Sequence, residues 1–149
     1  MAKSDFSFCW PTKIRYSEID AQRIVFNAHY LTFYDTAITE YLAATGFDHR
    51  SFMRSIGAEW HTVRAVVEWK APVYFEDEIE VWTRAARIGR SSLTFLLEVH
   101  PKGDEALRAT GEIVWVCTVQ STRRPAAVPP DMIAALRRIE GDRLTVASP

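Results

Sequence analysis

Residues 15–42, "RYSEIDAQRIVFNAHYLTFYDTAITEYL", decide how the rest of the chain must fold. Apolar residues recur at spacings of three and four in the second half, which predicts a helix over residues 28–45 with a wide buried face, ended by Gly46. The first half is an acidic turn, "SEID", that comes just before the apolar tripeptide "IVF" at 24–26. A surface turn does not need three bulky apolar residues, and a core segment does not favour a nearby carboxylate. A carboxylate at the mouth of an apolar pocket reconciles the two.

After this helix the apolar residues change to the period of two that is typical of strands. Strands are predicted over residues 12–17, 63–70, 78–88, 91–100 and 106–119. The connections "IGRS" and "PKGDE" are short enough for hairpins, and a short helix is predicted from 130 to 139. This order predicts an α+β fold with one antiparallel sheet of about five strands curled around one long helix. No linker divides the 149 residues, so we expect a single domain over residues 1–149.

Composition narrows the possible partners of this domain. The 18 Lys and Arg residues against 19 Asp and Glu residues leave a formal charge of -1, which argues against nucleic acid or a membrane surface as partner. The N-terminus has no apolar run of the kind a signal peptide needs, so we expect a cytoplasmic protein. Cys9 and Cys117 match neither a redox pair nor a zinc cluster and are expected to be reduced thiols.

Three segments together resemble the 4-hydroxybenzoyl-CoA thioesterase family of hotdog-fold acyl-CoA thioesterases. They are the opening segment, "VEWKAPVYFEDEIEV" at 67–81 and "STRRPAAVPPDMIAAL" at 121–136, and the resemblance covers residues 12–136. Its most specific part is an Asp, a Gly three residues later, two apolar residues, an aromatic residue, and a helix Tyr. Here these positions are Asp20, Arg23, Ile24, Val25, Phe26 and Tyr30.

The resemblance implies a hotdog fold and hydrolysis of an acyl-CoA without a metal or redox cofactor. It implies that Asp20 attacks the thioester carbonyl or activates water, while a backbone N–H at the start of the helix, near Asn27, polarises the carbonyl oxygen. It also implies at least a dimer, so a homodimer or homotetramer is expected. The chain departs from the family at Arg23, which is usually Gly, and at Asn27, which is His in many relatives. A Gly at position 23 is typical of a backbone with positive φ.

The chemistry of the proposed site can also be argued from the residues. Thioester hydrolysis needs an oxygen nucleophile or base and hydrogen-bond donors where the oxyanion develops. The first turn of the helix offers unpaired N–H groups near residues 27–29. We therefore predict Asp20 and Asn27 as catalytic residues, with "IVF" lining the acyl pocket. Arg23, Phe26 and Tyr30 are predicted to bind substrate, although Arg23 could instead face solvent.

Coenzyme A, as part of the substrate, requires cations for its phosphates. The predicted ligands lie at turns next to strand ends, where side chains reach the surface. They are Arg87, Arg90, Ser91 and Arg123, with Arg90 ranked first. The aromatic content of 12% suits an aromatic or a short to medium acyl group but equally suits a core.

Other roles stay open at this point. Asp35 and Glu40 on the helix, and His29 and His61, could each be catalytic, but structural or solvated roles are the commoner ones for such residues. Neither His has the neighbouring ligands of a zinc site, so no metal is expected. Two other functions also fit: a hotdog enoyl-CoA hydratase or dehydratase, and an acyl-CoA-binding subunit without catalytic activity.

Overall fold

The computed structural model of the chain describes residues 2–148, which form an α+β fold. The helices are α1 His29–Ala44, α2 His49–Ser55 and α3 Pro130–Glu140. The strands are β1 Cys9–Lys13, β2 Ala58–Trp69, β3 Glu78–Ile88, β4 Ser92–Pro101, β5 Ala109–Val119 and β6 Thr145–Val146. The sheet has the order β1-β3-β4-β5-β2, β1 runs antiparallel to β3, and the short β6 pairs with β3 in parallel. The predicted long helix, four long strands and C-terminal helix are confirmed.

Helix α1 buries the wide face that its apolar spacing predicts. Tyr30, Tyr34, Ile38 and Leu42 are all almost fully buried. The Tyr34 hydroxyl donates to the carbonyl of Thr110 in β5 at 2.9 Å. A side chain at the neighbouring Gly111 would collide with the Tyr34 ring, so glycine at this position lets the helix approach the sheet closely. The long helix is therefore fastened to the sheet by both packing and a hydrogen bond.

The strands differ in how much they bury. In β3, Ile79, Val81 and Thr83 are buried in alternation, as predicted. Strand β2, the last in the sheet order, exposes two apolar residues of its sequence pattern, Val63 at 61% and Trp69 at 53%. An end strand has a neighbour on one side only, so its apolar residues lack the packing that buries those of β3.

The contacts within the chain fall into two compact units. The first comprises the chain up to Tyr41 together with Val66–Arg84 and Leu97–Gly111. The second comprises Leu42–Ala65, Ala85–Leu96 and the chain from Glu112 onward. Its core includes Met53, Ala58 and Cys117, and Cys117 is fully buried. The single domain over residues 1–149 stays a prediction.

Several boundaries differ from the predicted ones for local reasons. The first strand lies at Cys9–Lys13 rather than 12–17, because residues 16–18 form a 3-10 turn that Glu18 stabilises by accepting the Arg15 N–H at 2.7 Å. Strand β2 begins at Ala58, five residues before the predicted start. Helix α2 was not predicted; it begins after Asp48, whose carboxylate accepts the Ser51 N–H at 3.1 Å.

Within residues 2–148, no helix is long and apolar enough to cross a bilayer.

Candidate active site

The loop before α1 is a tight turn that begins at Asp20. Ile19 and Val25 pair as an antiparallel bridge, and the Asp20 N–H donates to the Ile24 carbonyl at 2.9 Å. The Asp20 carbonyl in turn accepts the Arg23 N–H at 2.9 Å. Arg23 has a φ of 66°, in the left-handed region that a residue with a side chain adopts at a cost. The turn therefore has the backbone conformation that a glycine at this position favours, although the residue is Arg23.

The Asp20 carboxylate is held by this turn but is not fully paired. Its Oδ1 accepts the Gln22 N–H at 2.8 Å, which fixes the side-chain rotamer. Among residues 2–148, no donor lies within hydrogen-bond range of Oδ2. The side chain is half-buried. One carboxylate oxygen therefore anchors Asp20, and the other is available for chemistry.

Asp20 lines a cavity of about 390 Å³ within the first unit. Two chain segments form its walls. The lining residues are Asp20, Gln22, Ile24, Val25, Asn27 and Tyr30 from the first segment, and Trp69, Lys70, Ala71 and Pro72 from the second. The cavity thus joins a carboxylate to apolar and aromatic walls, which is the arrangement that the opening segment indicated.

Tyr30 is the most buried aromatic residue of this lining. Its ring meets that of Trp69 edge to face, with the centroids 6.3 Å apart. Burial raises the pKa of the Tyr30 hydroxyl to about 12, although the charge of Arg108 lowers it in part. The hydroxyl therefore stays protonated at neutral pH and can act as a donor there.

The second wall, Trp69–Pro72, is held by backbone hydrogen bonds. The N–H groups of Lys70 and Ala71 both donate to the carbonyl of Arg108, at 2.8 and 3.1 Å. The Val25 N–H donates to the Val73 carbonyl at 2.9 Å and so joins the two walls. None of the residues Trp69–Pro72 was predicted as a site residue. A signal was present: Pro72 cannot continue a ladder of strand hydrogen bonds and marks the end of β2.

The start of α1 offers fewer unpaired N–H groups than the sequence suggested. The His29 N–H donates to the Phe26 carbonyl at 3.0 Å, and the Phe26 N–H donates to the Glu18 carbonyl at 2.9 Å. Within residues 2–148, the backbone N–H groups of Asn27 and Ala28 donate to no acceptor. Asn27 also lines the cavity. Unpaired donors therefore lie at 27 and 28, beside the carboxylate loop.

Two other predicted residues of this segment lie outside the cavity lining. Arg23 is exposed at the turn, and Phe26 is 42% exposed with its ring against that of His29 at 5.6 Å. Of the tripeptide "IVF", Ile24 and Val25 line the cavity, whereas Phe26 does not and instead packs its ring against that of His29.

The predicted ligands of coenzyme A all lie in the second unit. Arg90 and Ser91 form the turn between β3 and β4, and their carbonyls accept the N–H groups of Val128 and Cys117, both at 2.8 Å. Arg123 lies in the turn that follows β5 and has a φ of 59°. Arg87 lies on β3, opposite β6. All three arginines are exposed, so their guanidinium groups are accessible to a ligand.

The remaining candidates lie away from the lining. Asp35 and Glu40 are exposed on α1. His61 is exposed on β2, with its Nε2 3.1 Å from the Gln120 amide nitrogen. In the part of the chain that the structure describes, no group of three or more His, Cys, Asp and Glu side chains is arranged to hold a metal ion.

Residues 14–136 match the family model described as the thioesterase-like superfamily. The chain belongs to this superfamily. It is 28% identical over 131 residues to the acyl-CoA thioester hydrolase YbgC of Escherichia coli, a match that covers 88% of the chain and 96% of the relative. It is 26% identical over 117 residues to the 1,4-dihydroxy-2-naphthoyl-CoA hydrolase of Synechococcus elongatus, covering 78% and 85%.

Solved structures agree with this assignment. A thioesterase from Thermus thermophilus, solved in complex with coenzyme A and Zn, superposes with a TM-score of 0.76 at 26% identity. The match covers 92% of this chain and 96% of that one. The predicted relation to hotdog-fold thioesterases is confirmed, and with it the hotdog fold and the assignment of the chain as a hydrolase.

Proposed function

We propose that the protein hydrolyses the thioester of an acyl-CoA whose acyl group is aromatic or of short to medium length. The observation that carries this proposal is the position of Asp20 and Asn27 on one cavity whose walls are largely apolar. Hydrolysis of a thioester needs a basic oxygen and an oxyanion donor at one carbonyl group. The unpaired Oδ2 of Asp20 is the proposed base or nucleophile, and the Asn27 N–H is the proposed donor.

The reaction has two routes that use the same residues. As a general base, Asp20 takes a proton from water while the hydroxyl adds to the carbonyl carbon, and the oxyanion accepts the Asn27 N–H. Collapse of this intermediate breaks the carbon–sulfur bond, and the leaving thiolate takes the proton. As a nucleophile, Asp20 displaces the thiolate and forms an anhydride, which water then cleaves to restore the carboxylate. Both routes are completed by Asp20, the Asn27 N–H and water, and neither needs a redox cofactor, because no electron is transferred.

The walls of the cavity support the proposed acyl groups. Its volume of about 390 Å³ lies at the small end of the range of ligand pockets, which is about 300–1,000 Å³. The rings of Tyr30 and Trp69, with Ile24 and Pro72, offer flat apolar surfaces to an aryl ring or a short alkyl chain.

The coenzyme A part of the substrate is proposed to bind through exposed cations. Arg87, Arg90 and Arg123 would pair with its phosphates, and Ser91 would donate a hydrogen bond. Arg23 and Phe26, which lie outside the cavity lining, would touch only the part of the substrate that extends beyond it.

We also propose that the protein forms a homodimer or homotetramer. The 12-residue strand β2 ends the sheet order and exposes Val63 and Trp69. A long apolar end strand is a surface that proteins generally cover. Light scattering at micromolar concentration should give a mass of at least twice 17.0 kDa. A mass of 17.0 kDa would contradict the proposal.

Thiol release from a panel of acyl-CoAs tests the activity directly. The panel contains acetyl-, hexanoyl-, benzoyl- and palmitoyl-CoA, and hydration of an enoyl-CoA is followed in parallel. We expect release from benzoyl-CoA and the shorter alkyl substrates. Hydration without release would favour the hydratase, and binding without either reaction would favour the non-catalytic subunit.

A further inference from the structure

Strand β4 carries a buried polar pair that the proposed reaction does not use. Glu98 and His100 lie two residues apart and so share one face of the strand. Their side chains are only 5% and 3% exposed, and His100 Nε2 lies 2.9 Å from Glu98 Oε1. Buried ionisable side chains are rare in proteins, and removing one partner of such a pair is costly.

The second ring nitrogen of His100 is also engaged. Nδ1 lies 3.1 Å from the carbonyl oxygen of Glu105. A carbonyl oxygen only accepts, so Nδ1 carries a hydrogen and donates it. Nε2 is the nitrogen that meets the Glu98 carboxylate. The ring is therefore held at both nitrogens, which fixes its orientation.

These contacts lead to the second wall of the cavity. Glu105 lies in the connection between β4 and β5, so its contact with His100 holds this connection against β4. Three residues later, Arg108 donates its N–H to the Val99 carbonyl at 2.8 Å. The Arg108 carbonyl accepts the N–H groups of both Lys70 and Ala71, which line the cavity. All of these residues belong to the first unit.

We infer that the buried Glu98–His100 pair is a positioning element for the acyl pocket, which sets the place of the Lys70–Pro72 wall and thereby the size of acyl group accepted. The inference rests on the proposed function. Neither Glu98 nor His100 is among the residues that line the cavity, and the pair is linked to the wall through the Glu105 and Arg108 carbonyls. A displaced wall affects an acyl group that reaches it and leaves one that does not reach it unaffected.

Four variants test this role. His100→Ala removes both contacts of the ring, and Glu98→Leu removes one. Glu98→Gln keeps the geometry, since its amide N–H can donate to Nε2 of a neutral ring. Glu112→Leu breaks the exposed pair with Arg64 in the second unit and is the control.

KM for benzoyl-CoA should rise about tenfold in His100→Ala and Glu98→Leu, because a wall moved by about an ångström no longer fits the ring. KM and kcat for acetyl-CoA should stay within about twofold. Glu98→Gln should restore the wild-type values, and the control should match them. An equal rise for both substrates, or no rise for either, would overturn the inference. If His100→Ala does not fold, the difference between Glu98→Leu and Glu98→Gln decides.

Hydrogen exchange provides a readout without substrate. The amides of Lys70 and Ala71 should exchange faster in Glu98→Leu than in the wild type, Glu98→Gln or the control, because they donate to the Arg108 carbonyl. Unchanged exchange at these amides would contradict the inference. A wild type that releases no thiol would remove the proposed function, and exchange alone would then show whether the pair holds this wall.

Discussion

The two walls of the cavity treat their polar groups in opposite ways. The Asp20 loop leaves Asp20 Oδ2 and the N–H groups of Asn27 and Ala28 without partners in the described chain. In the second wall, Trp69–Pro72, backbone groups are paired instead, since the N–H groups of Lys70 and Ala71 both donate to the Arg108 carbonyl. Unpaired polar groups next to an apolar surface are available to a substrate, whereas paired ones fix a shape. The first wall is thus suited to chemistry and the second to binding.

Asp20→Asn should have the largest effect, and it tests whether the wall that contains Asp20 supplies the chemistry. We expect kcat to fall by about two to three orders of magnitude, with KM little changed. The amide oxygen can still accept the Gln22 N–H, so the turn is kept while the basic oxygen is lost. Steady-state thiol release checks this.

The matched control is Asp35→Asn, which alters an exposed carboxylate on α1. It should keep wild-type kinetics. If kcat fell in Asp35→Asn but not in Asp20→Asn, the reactive carboxylate would be that of Asp35 on α1 and not that of Asp20.

Trp69→Ala should have an intermediate effect, and it tests whether the second wall contributes to binding alone. Loss of the ring that meets Tyr30 should raise KM for benzoyl-CoA by about tenfold, while kcat changes little. Ile56→Ala, which shortens an exposed apolar side chain outside both β2 and the cavity lining, is the control. A large fall in kcat would show that the second wall also takes part in the chemistry.

The reactive wall was the more predictable of the two. The period of α1 and the motif that begins at Asp20 are local patterns, so the turn and the start of the helix could be predicted to within a residue. The side of the chain to which Phe26 points depends on the bridges that Ile19 and Tyr74 make, which no local pattern reveals.

The binding wall depends on contacts between distant parts of the chain. Trp69–Pro72 reaches the cavity because Arg108, far along the sequence, accepts two of its N–H groups. Similarly, Glu98 and His100 occupy positions that alternate with apolar residues, and only tertiary packing buries them. Residue patterns within one strand cannot indicate what covers its second face.

Arg23→Gly should have the smallest effect. Removing the side chain at a φ of 66° should change the free energy of unfolding by no more than about 1 kcal/mol, in the stabilising direction. The ranking of acyl-CoA substrates should stay the same. Thermal or urea unfolding and kcat/KM for one polar and one apolar substrate check this.

Glu76→Gly, at a φ of 69°, is the control for the backbone effect. A selective loss of about 1.5–3 kcal/mol on substrates with a carboxylate or hydroxyl would show that the Arg23 guanidinium contacts the acyl group.

The central claim is that Asp20 supplies chemistry and the cavity walls supply binding. Calorimetric titration of Asp20→Asn with benzoyl-CoA tests it most directly, because turnover no longer consumes the ligand. The reference is the Kd of Asp35→Asn for a non-hydrolysable thioether analogue of benzoyl-CoA. The claim predicts that the Kd of Asp20→Asn for benzoyl-CoA lies within about twofold of this reference, and that Asp20→Asn has lost turnover. Loss of binding along with turnover, or binding with wild-type turnover, would contradict it.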